Sequence, residues 1–393
     1  MNNKHLSLRI VEAFRQVLPA DKSSFVPLHE PAFKGREWDY VKECLDTGWV
    51  SSVGKYVDRF ERDLADYTGS PFAIAVVNGT AALHISLLIA GIQAGDEVLI
   101  PSLTFVATAN AVSYIGATPH FVDVARDTMG LDPYKLEAYL RDIVHVQSNG
   151  QSFNRITGRR IAAVVPMHTF GHSVELDYLV EVCERFGLTI VEDAAESLGT
   201  FYKGRHTGTY GKLAAISFNG NKIITTGGGG AILTADENIA KQVKHMTTTA
   251  KKPHRWAYDH DQIGYNYRLP NINAALGCAQ LEQLPEMLHK KRQLAYRYEA
   301  IFAQVEGVEW FKEKEDGSSN YWLNALLLEK PDEQLRNSIL DFTNDNGFMT
   351  RPIWTPMHRM AIYDHCPRMD LSVTEELELR VINIPSGSDL FHN

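Results

Sequence analysis

Short apolar runs, each followed by a helical pattern, recur along the first two-thirds of the chain, and this alternation restricts it to few folds. The runs lie at 73–77, 97–100, 120–122, 161–165, 188–191, 214–218 and 231–234. Continuous apolar runs bounded by turn residues suit strands buried on both faces of a mostly parallel sheet. Helical patterns at 81–90, 133–141 and 176–186 fall between them, and such strand–helix alternation predicts an α/β fold. From about Asn271 the texture changes. A long helical stretch is expected over 272–305, interrupted or kinked at Pro285. An apolar run at 321–328, a helical pattern at 332–346 and a Pro-containing stretch at 351–358 follow. The chain thus reads as a large α/β domain over 1–270, N-terminal segment included, and a smaller α+β domain over 271–393. The polar segment 147–160 reads as a loop or hairpin inserted in the large domain.

Length and charge narrow the partners. A chain of 393 residues is long enough to bury a substantial core. No apolar run approaches the ~18 residues that a membrane helix needs. The start, Met1-Asn2-Asn3-Lys4-His5, leads into an amphipathic stretch without the apolar centre of a signal peptide. With 39 basic and 48 acidic residues the net charge is −9, and no basic run interrupts it. Nucleic-acid binding is therefore not expected, whereas a small anionic substrate remains open because it responds to a local field. Cys44, Cys183, Cys278 and Cys366 stand far apart with no CxxC pair, so neither zinc nor a disulfide framework is signalled; no metal site and a cytoplasmic location are the expectations.

Several common motifs are missing: Gly-x-x-x-x-Gly-Lys-Ser/Thr, Gly-x-Gly-x-x-Gly, His-Glu-x-x-His and Gly-x-Ser-x-Gly. NTPase, dehydrogenase, metalloprotease and serine-hydrolase chemistry lose support with them. Three local features remain. In 76–83 (VVNGTAAL) a strand ends, a small turn follows and a helix begins at Gly79-Thr80. Free amides at a helix start with a hydroxyl beside them form a phosphate cup; an ordinary N-cap at Asn78 or Thr80 is the bland alternative. In 188–193 (LTIVED) an apolar strand ends in two carboxylates, placed where ligands gather in open α/β sheets. That acid fits catalysis, an N-cap or a Mg²⁺ ligand equally. In 216–222 (ISFNGNK) a lysine follows a buried strand and precedes the four glycines 227–230. Four glycines are costly in a regular element, so this backbone must approach something closely or turn freely; a flexible hairpin around a surface lysine is the alternative.

Together these three features match pyridoxal phosphate. That cofactor needs an anion site, a carboxylate to keep its ring nitrogen protonated, and a lysine for a Schiff base. A protonated ring is the electron sink that stabilises a carbanion. The lysine must be partly neutral to attack a carbonyl, which desolvation and nearby positive charge favour.

At these residues the chain resembles the sugar aminotransferases of the DegT/DnrJ/EryC1/StrS group, which have the aspartate-aminotransferase (type I) fold. The resemblance runs nearly end to end, through 47–54 (TGWVSSVG), 78–83, 101–110 (PSLTFVATAN), 166–171, 192–199, 217–230, 264–268 (GYNYR) and 351–358. It implies that Gly79 and Thr80 hold the phosphate of pyridoxal 5'-phosphate, with Ser217 helping. Phe105 takes the place of an aromatic ring stacked on the pyridine face, where a core aromatic is the alternative. Asp193 would pair with the ring nitrogen, and Lys222 would be the Schiff-base lysine. Asn266 resembles the residue that crosses from a neighbouring subunit to the phosphate, with Arg268 nearby, which implies a homodimer with shared sites. Arg351 and His358 resemble tail residues facing the nucleotide sugar. One position departs from the family's commoner Gln or His beside the cofactor's 3-oxygen: Glu196. An ionised carboxylate there would be repulsive, so Glu196 must share a proton, find a cation or point elsewhere.

The runs 48–55 (GWVSSVGK), 154–160 (NRITGRR) and 167–172 (MHTFGH) resemble the branch linked to legionaminic-acid-type sugars. That resemblance implies transfer of an amino group, from L-glutamate by family habit, to the 4-keto carbon of a UDP- or GDP-linked 2-acetamido-4-keto-6-deoxyhexose. Dehydratases of the same family carry histidine in place of the lysine, and a sensor without activity would not need the Asp193/Lys222 pair. An amino-acid aminotransferase is a third alternative.

Overall fold

Seven of the nine strands in the larger sheet form its main path in this computed structural model, which describes residues 3–18 and 25–391; residues 1–2 lie outside that description, as do 19–24 and 392–393. The strands are β1 (Phe72–Val76), β2 (Glu97–Pro101), β3 (Thr118–Val122), β4 (Arg160–Val164), β5 (Thr189–Asp193), β6 (Leu213–Ser217) and β7 (Gly230–Thr234). Their spatial order is β1-β7-β6-β5-β4-β2-β3. Neighbours from β6 to β3 pair in parallel, and β7 runs antiparallel to both β1 and β6. Each expected strand is present within a residue or two of its expected place. Residues such as Val98, Leu99 and Ile100 are all fully buried, because helices cover both faces of the sheet. The polar segment near 150 resolves into a hairpin, Val144–Val146 with Ser152–Asn154, whose second arm pairs with β4.

The register of these strands assembles one edge. Val76 and Ser217 both pair with Gly230, and Asp193 pairs with Ala215, two residues before Ser217. The carboxyl ends of β1, β5 and β6 therefore open onto the same rim, where ligands gather in open α/β sheets.

A second, antiparallel sheet joins Val308–Trp310, Asn324–Leu328, Val381–Ile384 and Arg351–Pro352 in that order. The N-terminal helix, Asn3–Val17, covers it. Leu6, Ile10, Phe14 and Val17 recur at helical spacing and are buried in one cluster with Tyr298, Phe302, Leu326 and Ile382. Phe14 meets Tyr298 and Phe302 edge-on, ring centres 6.4 and 5.9 Å apart. The N-terminal segment thus packs with the C-terminal sheet and not with the large domain to which the 1–270 division assigns it. This pairing joins residues some 300 positions apart, which local periodicity does not register.

The helix Asn271–Phe302 also crosses the expected boundary. Its first half, with Ala274, Cys278 and Leu284, shares a cluster with Phe60, Ile216 and Ile224. Its second half, with Leu294 and Tyr298, belongs to the cluster under the small sheet. It runs unbroken through Pro285, against the expected interruption. A proline removes one amide donor, and here the turns on both sides are held by separate cores. Among the described residues no helix is long and apolar enough to cross a membrane.

If the N-terminal helix belongs to the small-sheet core, Phe14→Ala is expected to cost about 3–5 kcal/mol. Urea unfolding would show this as a lowered midpoint, and an unchanged midpoint would place the helix outside the core.

Candidate active site

The turn after β1 forms one wall of the rim. Asn78 caps the helix Gly79–Ile89: its side-chain oxygen accepts from Ala81 N at 2.8 Å, and its carbonyl accepts from Ala82 N at 3.1 Å. The amides of Gly79 and Thr80 remain as free donors at this helix start among the described residues, which is the arrangement that draws anions. The turn sits very close to the neighbouring strands. A Cβ on Gly79 would lie 2.9 Å from Ser217 Cβ, and one on Gly230 would lie 2.5 Å from the Asn78 carbonyl carbon. Both positions therefore need glycine for lack of room. Ser217 stands half-buried beside them, its hydroxyl accepting from Asn219 N at 3.4 Å.

At the end of β5 the two carboxylates separate, because adjacent strand residues face opposite sides. Glu192 is enclosed by donors: the amides of Gly208, Tyr210 and Gly211, each at 2.7 Å, and His168 Nε2 at 2.9 Å. It pins a turn. Asp193 is buried with neutral donors only, Thr108 Oγ1 at 2.7 Å and Ala195 N at 3.2 Å. Burial raises its pKa, opposed first by the Thr108 hydrogen bond and less by the charge of Lys222. A carboxyl in that condition is stabilised by a cation placed next to it. Thr108 lies one helical turn beyond Phe105, the residue that starts the helix Val106–Tyr114. Phe105 is 50% exposed, so it is no core aromatic, and its ring presents a free face at the rim.

Lys222 leaves the end of β6 through the turn at Asn219 and reaches inward. Its Nζ lies 3.3 Å from Glu196 Oε1 and 4.0 Å from the centre of the Trp322 ring. Trp322 is fixed by its indole N–H, which donates to Asn221 O at 2.7 Å. Glu196 is buried, and its second oxygen accepts from Phe170 N at 2.9 Å. Burial pushes its pKa up to about 7, against the opposing pull of Lys222. Of the three resolutions open to Glu196, the structure thus supplies a cation and a raised affinity for a proton. Phe170 and Trp354, ring centres 5.1 Å apart, continue the wall from Trp322 towards Phe105.

The other expected residues lie farther out. Asn266 is exposed, and its side-chain oxygen accepts from Arg268 Nε and Nη2 at 3.3 and 3.1 Å. Their segment runs along β1, with Arg268 bridged to Val76 and Val77 N donating to Tyr267 O, one step from the Asn78 turn. Arg351 is exposed on the edge strand of the small sheet. His358 is committed within the protein. Its Nδ1 meets Ser102 Oγ at 2.8 Å and its Nε2 meets Glu375 at 3.2 Å, so the imidazole staples the tail to the end of β2. A contact with substrate, as expected of it, would require exchanging one of these partners. Trp322, Phe170, Trp354 and Thr108 were not singled out from the sequence. Only Thr108 carried a signal, since Thr104, Phe105 and Thr108 share one face of a helix start.

A profile of the DegT/DnrJ/EryC1/StrS aminotransferase family matches residues 31–393. The chain belongs to this family. This aminotransferase is 37% identical over 368 residues to the GDP-perosamine synthase of Escherichia coli O157:H7, covering 93% of this chain and 94% of that one. It is 38% identical over 362 residues, 92% of each chain, to the GDP-perosamine synthase of Caulobacter vibrioides. Among solved structures, S. venezuelae DesV in complex with a ketimine intermediate superimposes with a TM-score of 0.80 at 29% identity, over 91% of this chain and 90% of that one. The fold is type I of the pyridoxal-phosphate enzymes, and pyridoxal phosphate is the family's cofactor. The residues present fit it. The free amides and close-packed glycines form an anion cup, Phe105 offers a ring face, and Asp193 lacks only a cationic partner such as a protonated ring nitrogen.

Glu196 yields a pH test. Its carboxyl holds a proton more tightly in the fold, at about 7, than its ordinary value of 4.5. That contributes stability present below pH 4.5 and lost as pH rises through about 7. With the cofactor removed, the melting temperature is expected to fall over that window relative to Glu196→Gln. Parallel curves for the two proteins would mean that Glu196 is ionised throughout.

Proposed function

We propose that this enzyme moves an amino group from L-glutamate to the 4-keto carbon of a nucleotide-linked 2-acetamido-4-keto-6-deoxyhexose, in the making of surface-glycan sugars. The observation that carries the reading is the meeting of Lys222, Glu196 and Asp193 beside the Gly79–Ser217 cup, in a chain of an aminotransferase family. The sugar half is supported by the two relatives named as synthases of GDP-perosamine, a nucleotide-linked sugar by its name, and by the resemblance of the 48–55 run to the legionaminic-acid branch. A lysine at 222, in place of histidine, favours transfer over dehydration.

Bound pyridoxal phosphate supplies an aldehyde that condenses with amines and a ring that accepts electron density when protonated. The chain's own residues do the rest. Gly79 and Thr80 amides and the Ser217 hydroxyl hold the phosphate, and Phe105 covers one ring face. Asp193, held by Thr108, keeps the ring nitrogen protonated. Lys222 Nζ would anchor the cofactor covalently and, as a free amine, would carry the proton from the donor α-carbon to the cofactor. In the second half-reaction it would carry a proton from the cofactor to the sugar carbon that receives nitrogen. Glu196, whose affinity for a proton is raised, can hold a proton beside Lys222 and so need not be ionised together with Asp193. Trp322, Phe170 and Trp354 exclude water from that side. Arg351, exposed and holding only a long 3.4 Å bond to Thr350 O, would reach the substrate's pyrophosphate, which His358 reaches only by giving up Glu375 or Ser102. In a homodimer, Asn266 would complete the phosphate site of the neighbouring subunit.

Incubation with L-glutamate and a panel of UDP- and GDP-linked 4-keto sugars, with and without the 2-acetamido group, is expected to release 2-oxoglutarate and give an aminated nucleotide sugar by mass. No product with any member overturns the proposal. Borohydride reduction is expected to attach the cofactor to residue 222 and to fail in Lys222→Ala, which loses all turnover. Asp193→Asn is expected to keep the cofactor and lose at least about a hundredfold in rate, and an unimpaired variant would contradict its role.

A further inference from the structure

His29 belongs to no site described so far. The segment before it is tied to the tail of the chain: Ser386 N donates to Leu28 O at 2.7 Å. The Leu28 side chain packs against the cluster that contains Phe170 and Trp322, the rings that wall in Lys222. Burial holds the His29 pKa well below the usual imidazole value, and the charges of Lys291 and then Lys222, both near enough to act on it, lower it further. The residue as a whole keeps some surface, but both ring nitrogens are sealed from solvent and meet no partner among the described residues. A neutral imidazole carries one N–H donor and one acceptor, and leaving them unmet is unfavourable.

The neighbours do not account for this cost. Lys291, fully buried, donates to Trp322 O at 3.1 Å and to Ser386 O. Glu196 is committed to Lys222 and to Phe170 N. What remains is one polar ring without a partner next to the lysine that carries the chemistry. The chemistry of the ring selects its ligand. Glutamate presents carboxylates that only accept, for which a neutral imidazole is a poor match compared with a cation. A hydroxyl or an amide both donates and accepts, and so can satisfy either ring nitrogen, whether that nitrogen carries the proton or not.

We propose that His29 binds the acceptor sugar: the residue keeps some surface, and its ring turns to bring one nitrogen out to a hydroxyl or acetamido group near the keto carbon and so orients that carbon towards Lys222. The assignment rests on the transaminase reading above. It predicts a split between the two half-reactions, which can be followed separately in the holoenzyme by cofactor absorbance. In His29→Leu, conversion of the pyridoxal form by L-glutamate is expected to stay within about twofold of wild type. Reaction of the pyridoxamine form with UDP-linked 2-acetamido-4-keto-6-deoxyhexose, or with GDP-linked 4-keto-6-deoxyhexose, is expected to fall about ten- to hundredfold in kcat/KM. His29→Asn keeps a donor and an acceptor and should recover part of the loss. The melting temperature of His29→Leu should equal or exceed that of wild type, because an unpaired polar group is removed. Equal losses in both halves, no loss in either, or a melting temperature lowered by several degrees each overturn the assignment. A wild-type protein that fails the glutamate half-reaction overturns the transaminase reading itself. One that passes it, yet treats both sugars as the variant does, overturns His29 alone.

Discussion

The turn at Asn78–Thr80 rests directly on Ser217 and Gly230, and the site is arranged around that close approach. Side chains at 79 or 230 would hold the helix start away from the sheet and carry its free amides off the rim. With the approach made, three features converge at one edge: donors at the end of β1, an acid at the end of β5, and a lysine just beyond β6. Pairing of β1 and β6 with the antiparallel β7, and of β6 with β5, brings these ends together, although the first lies more than a hundred residues before the other two. Nothing local to any one of the three segments would do so.

Charge inside this edge is distributed unevenly. Glu192 and Asp193 are neighbours in sequence, but the strand turns them to opposite faces. One receives four donors and serves to hold a turn; the other receives two neutral ones and retains a demand for positive charge. Glu196 shares Lys222 and has a raised affinity for a proton. The pocket therefore holds two buried carboxyls, of which only Glu196 is paired with Lys222, while Asp193 has neutral donors alone. Burial sharpens the contrast, since each charge here is poorly compensated by solvent.

Much of this was legible in the chain. Apolar runs marked the seven five-residue strands of the large sheet because both faces are covered, so no alternating polar residues blur the signal; the short hairpin 144–154 carried no such run. The Gly79-Thr80 start, the acid at 193 and the lysine at 222 stood out through their place at strand ends. Other parts were not legible. Trp322, Phe170 and Trp354 look like ordinary core aromatics, and only their convergence on Lys222 distinguishes them. His29 is a single imidazole in an irregular segment, and its lack of partners is a property of the fold. The N-terminal helix shows its amphipathic face in sequence but not which sheet that face covers. Pro285 does not interrupt its helix, because the turns on both sides of it are held by separate cores that a local breaker does not reveal.

The helix Asn271–Phe302 has a mechanical consequence. At 32 residues it is about 48 Å long, and it is bolted into one core at each end, so the chain has no hinge at residue 271. Lys291 sits on its second half and grips the backbone of Trp322 and Ser386 together. Any shift of the small sheet is thus geared to the indole against which the Lys222 amine lies. Movement at the rim is left to its loops, while the strut behind them keeps that amine and its floor in step.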